Sequence, residues 1–141
     1  MDGTDNAERA VRVAADLATR YGVALYVLHV FPREIGILPS PEPRPLELTG
    51  QIDPEICDRW AAAGREVITR RLQLLFPEET TYTFRQETGD PAETIVRIAA
   101  EESIDLIVVG CRGLGIALRP LLGSVSERVS HQTPCSVLIV R

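Results

Sequence analysis

Cysteine, clustered basic charge and long apolar runs are all scarce in this 141-residue chain, and each scarcity closes off a class of function. The three cysteines, Cys57, Cys111 and Cys135, are an odd and widely scattered set. They make neither a disulfide framework nor the paired spacing of a zinc site, so a reducing compartment is expected. The formal charge is −5, the sequence pI is near 5.1, and no run of Lys and Arg offers a local exception. Neither nucleic acid nor an anionic membrane surface is therefore expected as a partner, and a phosphate-bearing ligand has to be gripped locally. With no signal-peptide pattern and no apolar run of membrane-spanning length, the expected location is cytoplasmic. No Ser-His-acid set, paired-carboxylate motif or metal-ligand cluster can be assembled, so no catalytic residue or metal ligand is assigned.

What is present suits one domain over residues 1–141 with a full core. Asp5-Asn6-Ala7-Glu8 has the form of a capping box, and apolar residues from Ala7 to Tyr21 recur at helical spacing. Gly22 sits where a C-terminal cap belongs, and residues 24–30 (ALYVLHV) read as a strand covered on both faces. Pro32, Pro39, Pro41, Pro43 and Pro45 then mark an irregular loop overhanging the carboxyl ends of the strands. Asp53-Pro54 opens the longest helix, with Ile56, Trp60, Ala63, Val67 and Leu74 as its expected apolar face. Residues 80–87 alternate like a strand near a sheet edge, and Asp90-Pro91-Ala92-Glu93 packs a cap, an N1 proline and a box glutamate into one helix start. Residues 105–109, stopped by Gly110, read as a second doubly buried strand, and Ser136 to Val140 as a third apolar one. Helices alternating with apolar strands predict an α/β domain: an open parallel sheet with helices on both faces, Rossmann-like in form.

Candidate chemistry gathers after residue 109. Gly110, Gly113 and Gly115 allow positive φ and close approach of a ligand, and Gly123-Ser124 opens the next helix. The first amides of a helix lack partners and sit at the positive end of its dipole, so they hold an anion without a cation. No Lys follows the second glycine group, which excludes a Walker A loop, and the spacing is not the dinucleotide fingerprint. The same residues have a plain structural account. Gly110 stops a strand, and Ser124 with Glu127 forms a capping box, S-V-S-E. Arg112 and Arg119 flank the loop as candidate phosphate partners. His29 reads as a hydrogen-bonded core histidine and His131 as a helix C-terminal residue.

Gly110, two residues, Gly113, nine residues, then Gly123-Ser124 resembles the phosphate loop of nucleotide-binding members of the universal stress protein family. Gly-Asp-Pro-Ala from Gly89 to Ala92 and the His-Val at His29 and Val30 fit too, so the resemblance covers almost the whole chain. It implies the adenine nucleotide alpha-hydrolase-like form of the fold and a stress-response sensor or signalling module. The implied ligand is ATP or another adenine nucleotide, with or without Mg²⁺. Gly110, Gly113, Gly123 and Ser124 would meet its phosphates, Asp2 the nucleoside and Val30 the adenine. It also implies a homodimer formed through Ser136 to Val140. Two other readings stay open: an interaction module with an empty pocket, and a slow ATPase or autophosphorylating protein with Ser124 or Ser126 as acceptor. The resemblance departs at the start, where the family has a hydrophobic first strand and Met1 here stands directly before Asp2-Gly3-Thr4. The sheet is therefore expected to lack that strand. Either the natural chain extends upstream, or another segment fills the gap, or strands 24–30 and 105–109 close on each other.

Overall fold

The structure, a computed structural model, describes residues 1–31, 54–76, 80–111 and 123–141. The proline-rich loop, Gly113, Gly115, Arg112 and Arg119 lie outside the described residues. The elements in order are α1 (Asp5–Tyr21), β1 (Tyr26–Phe31), α2 (Pro54–Leu75), β2 (Thr83–Thr88), α3 (Pro91–Glu101), β3 (Leu106–Gly110), α4 (Ser124–Gln132) and β4 (Ser136–Val140).

Local chemistry sets most of the element ends. Gly22 closes α1 with φ 65°, a left-handed conformation that disfavours a Cβ. Asp90 caps α3, its Oδ1 accepting from the Glu93 N–H at 2.9 Å, with Pro91 in the first turn as predicted. The start of α1 differs by one residue from the expected box. Thr4 is the cap, its Oγ1 accepting from the Ala7 N–H, and Asp2 Oδ1 in turn accepts from the Thr4 N–H and hydroxyl at 3.1 and 2.7 Å. Asp5 instead lies in the first turn with Glu8, where negative charge suits the helix dipole.

β1 pairs with β2 and β3 with β4, both parallel, in registers running from Tyr26↔Thr83 to Phe31↔Thr88 and from Leu106↔Ser136 to Gly110↔Val140. A helix lies between the members of each pair in sequence, which is the α/β arrangement predicted. The single continuous sheet is not formed among the described residues: there are two two-stranded sheets, and β1 does not close on β3. Strands β1 and β3 are correspondingly less covered than expected. In β3, Leu106 is exposed and the other four residues are partly buried, while β1 buries Val27, His29 and Phe31 but leaves Leu28 and Val30 half-buried.

The amino-terminal turn touches both sheets. The Met1 nitrogen donates to the Leu28 carbonyl, and His29 Nδ1 lies 2.6 Å from the Met1 carbonyl oxygen. Arg71 of α2 donates to the Gly3 carbonyl and, at 2.8 Å, to Glu8 Oε1. Asn6 Nδ2 donates to the carbonyl of Cys111, the residue just past β3. One short turn is thus fastened to β1, α2 and the exit of β3.

The main core joins Val11, Leu25, Val27, Ile68, Leu72 and Phe76, with Tyr82 and Phe84 packed against it. The inward face of α2 is therefore the Ile68–Leu72–Phe76 side, a correction to the expected one. Trp60, Val67 and Leu74 are 40%, 55% and 86% exposed, and Leu72 is 0% exposed. The two stripes are one residue apart, a turn of about 100° on a helix, so apolar periodicity alone does not choose between them. The Phe76 and Tyr82 rings, centred 4.7 Å apart, fix the end of α2 against the start of β2 and so decide the choice. Leu72→Ala should cost about 2–5 kcal/mol, and Leu74→Ala no more than about 0.5 kcal/mol. Urea unfolding of the two variants checks this, and equal losses would contradict the assigned face.

Candidate functional site

Strands β3 and β4 are parallel, so α4 has to carry the chain back, and its first residues begin at the carboxyl ends of the strands. Gly110 is the last residue of β3, and the Cys111 N–H continues the pairing by donating to the Val140 carbonyl at 2.7 Å. Positive φ was expected at Gly110 but falls, among the described glycines, on Gly3, Gly22 and Gly89. What Gly110 requires is space. A Cβ there would lie 2.5 Å from the Asn6 carbonyl oxygen, 2.6 Å from its carbon and 2.9 Å from the Ala7 nitrogen. The main chain of the first turn of α1 fills the side-chain position. Close packing of helix on strand demands this glycine, as it does one glycine of the dinucleotide fingerprint.

At the far side of the loop, Gly123 caps α4 with φ −61° and ψ 147° and makes no side-chain cap hydrogen bond. The expected S-V-S-E box is not formed because the helix begins one residue earlier. Ser124 lies exposed inside the first turn, and Ser126 Oγ donates to the Gly123 carbonyl at 2.9 Å. Thr4 and Asp90 close the starts of α1 and α3 with side-chain acceptors, and α4 has no such acceptor among the described residues. Its leading N–H groups lie at the positive end of the helix. The Gly123 backbone is extended, a conformation open to any residue, so here conformation does not demand glycine.

Asp2 is exposed and holds the turn that starts α1 through its two bonds from Thr4. Val30 is half-buried one residue from the end of β1, level with Glu87. Met1 lies along β1 and Asn6 reaches Cys111, so the turn bearing Asp2 links the β1 edge to Gly110. The Gly89 N–H donates to the Phe31 carbonyl at 2.9 Å, bringing the Gly-Asp-Pro-Ala stretch to the end of β1. Arg128 of α4 bonds Asp90 Oδ2 at 2.8 Å and Glu93 at 3.3 Å, joining the starts of α3 and α4. The Arg128 bond first, then the Glu93 N–H, holds the Asp90 carboxyl below its ordinary range. His29 is buried, and burial is the main reason its pKa is lowered, against the effect of the Met1 carbonyl bond. It is a hydrogen-bonded core group, as read from the sequence. Gly113 lies outside the described residues.

Sequence reasoning did not single out Asn6. Its partner is 105 residues away, and a polar residue in the first turn of a helix carries no local sign of such a contact.

The sequence model of the universal stress protein family matches residues 1–141. The chain belongs to that family. A universal stress protein of Thermus aquaticus is 36% identical over 141 residues, covering 99% of this chain and 93% of its own. The solved structure of universal stress protein UspA from Lactobacillus plantarum matches with a TM-score of 0.74 at 25% identity, over 100% of this chain and 93% of that one. A universal stress protein solved in complex with cAMP matches with a TM-score of 0.65 at 25% identity, over 100% and 92%. The fold is the UspA-like α/β fold.

In this universal stress protein an open depression lined by Ala99, Ser103, Asp105, Cys135 and Ser136 lies at the amino ends of β3 and β4. Ligands of open α/β sheets bind outside the carboxyl ends, so the Gly110 and Gly123 end is the candidate site and the depression is not. Among the described residues, no group of three or more His, Cys, Asp or Glu is placed to hold a metal ion, and no helix is long and apolar enough to cross a membrane.

Proposed function

We propose that this universal stress protein binds an adenine nucleotide, ATP foremost, as a cytoplasmic sensing or signalling module of a stress response. The observation that carries the reading is the start of α4. Among the described residues no side chain caps its amides, and its cap is a glycine that the backbone does not require. Such a start suits a phosphate, which takes the leading N–H groups as donors and needs close access past a residue without a Cβ. The exposed Ser124 hydroxyl adds one donor. At Gly110 the contact would come from the chain as it leaves the strand, because Asn6 covers the Cα side. Gly113 completes the phosphate group, Asp2 would meet the nucleoside and Val30 the adenine. The related structure with cAMP supports the adenine class. Mass spectrometry of small molecules released on denaturing the purified protein tests the proposal. A stoichiometric adenine nucleotide is expected. None released, and none bound at millimolar ATP with or without Mg²⁺, would favour an interaction module of the same fold.

The partner proposed besides the nucleotide is a second copy. β4 pairs with β3 on one side, and no described strand pairs with its other edge. An apolar edge of this kind templates pairing, and antiparallel pairing of β4 with itself about a two-fold axis closes the assembly. Light scattering should give a dimer mass for the intact chain and a monomer mass for Ile139→Lys. An unchanged mass in the variant would contradict pairing through Ser136–Val140.

A further inference from the structure

We infer that Asn6 is a positioning residue for the nucleotide site: its side-chain amide fixes the Cys111 carbonyl, the last described peptide oxygen at the end of β3. The inference rests on the nucleotide reading and adds a residue to it.

The turn that carries Asn6 is anchored without it. The Met1 nitrogen bonds β1, Arg71 holds Gly3 and Glu8, and Thr4 caps the helix with Asp2 behind it. The close packing on Gly110 uses the carbonyl group of residue 6 and the nitrogen of residue 7, both main chain. That packing is indifferent to which side chain residue 6 carries. What asparagine adds is a donor, and it is directed at one oxygen, the carbonyl of Cys111.

Cys111 is buried, and its peptide groups are held from two sides. Its N–H donates to Val140 across the sheet, and its carbonyl accepts from Asn6 across the helix contact. The N–H belongs to the peptide that ends the strand and the carbonyl to the one that follows, so the bond from Asn6 orients the carbonyl at the exit, beside which a phosphate would first meet the chain. Aspartate at position 6 would present an acceptor to an acceptor, and an aliphatic residue would leave a buried carbonyl without this donor. Pre-set geometry of this kind raises affinity by removing the cost of ordering the site when ligand binds.

A carbonyl partner could serve stability alone, so the test separates the two roles by ligand. ATP and adenosine are titrated against the intact chain, Asn6→Ala and Leu72→Ala, adenosine by competition with ATP. Adenosine has no phosphate, so a residue acting on the exit of β3 alters the ratio of the two affinities, and general loosening alters both alike. The ATP affinity of Asn6→Ala should fall by about tenfold or more, roughly the worth of one buried hydrogen bond. Its adenosine affinity should stay within about twofold, and Leu72→Ala, destabilised in the main core, should keep its ATP affinity within about twofold. Should Asn6→Ala not fold, Asn6→Ser takes its place, its hydroxyl being too short to reach the same oxygen. Equal weakening of both ligands, or unchanged ATP affinity, would overturn the inference and leave the nucleotide reading intact. An intact chain that binds neither ligand would overturn both.

Discussion

Gly110→Ala is expected to cost about 3 kcal/mol or more, at or above the upper end of ordinary overpacking. The added methyl would sit 2.5 Å from the carbonyl oxygen of Asn6 and 2.9 Å from the nitrogen of Ala7. Flexible side-chain ends move aside cheaply, but these atoms are the main chain of a helix start. That start is also tied to β1 by Met1 and to α2 by Arg71, so α1 cannot withdraw from β3 without straining those bonds. A domain of this size is stable by about 5–15 kcal/mol, so the loss is a large share of the total. Urea unfolding measures it. A change below about 0.5 kcal/mol would show that α1 and β3 do not pack as closely as described.

Gly123→Val should do the reverse, removing function and leaving the fold. With φ −61° and ψ 147° the backbone accepts an L residue, and no cap side chain is lost because glycine supplies none. The valine methyls would stand at the start of α4 where a phosphate has to approach the amides. ATP affinity should fall by about 100-fold or more, a loss of about 2.7 kcal/mol, with a stability change of no more than about 1 kcal/mol. Calorimetric titration with ATP, paired with urea unfolding, reads both. Full ATP affinity in the folded variant would remove α4 from the phosphate site. The two glycines, grouped by one spacing pattern in the sequence, thus separate in the structure into one that packing requires and one whose backbone does not require glycine.

The features legible in the sequence are those with local causes. Gly22, Asp90 and Pro91 set helix ends through their own backbone and side-chain chemistry, and the structure finds them in those places. The order of helices and strands followed from apolar pattern, and with it the α/β class. The inward face of α2 did not, because Val67 and Ile68 are both apolar neighbours and only contact with Phe76 and Tyr82 selects between their stripes. The reason for Gly110 was equally hidden. It lies in the backbone of Asn6, more than a hundred residues earlier, and loop chemistry suggested positive φ instead. The Ser124 box failed by one residue. Its pattern is satisfied on paper, but the cap position goes to Gly123, which supplies no side-chain acceptor to the amides of α4. That miss matters for the proposed function, since a side-chain cap would take up one of the donors a phosphate could use.

The central claim is that the open start of α4 receives the phosphates of an adenine nucleotide. Its most direct test is calorimetric titration of the intact 141-residue chain with ATP, in the presence and absence of Mg²⁺. Saturable binding, displaced by excess adenine nucleotide and absent in Gly123→Val, is the predicted result. No heat, and no protection of the chain against unfolding at millimolar ATP, would contradict it.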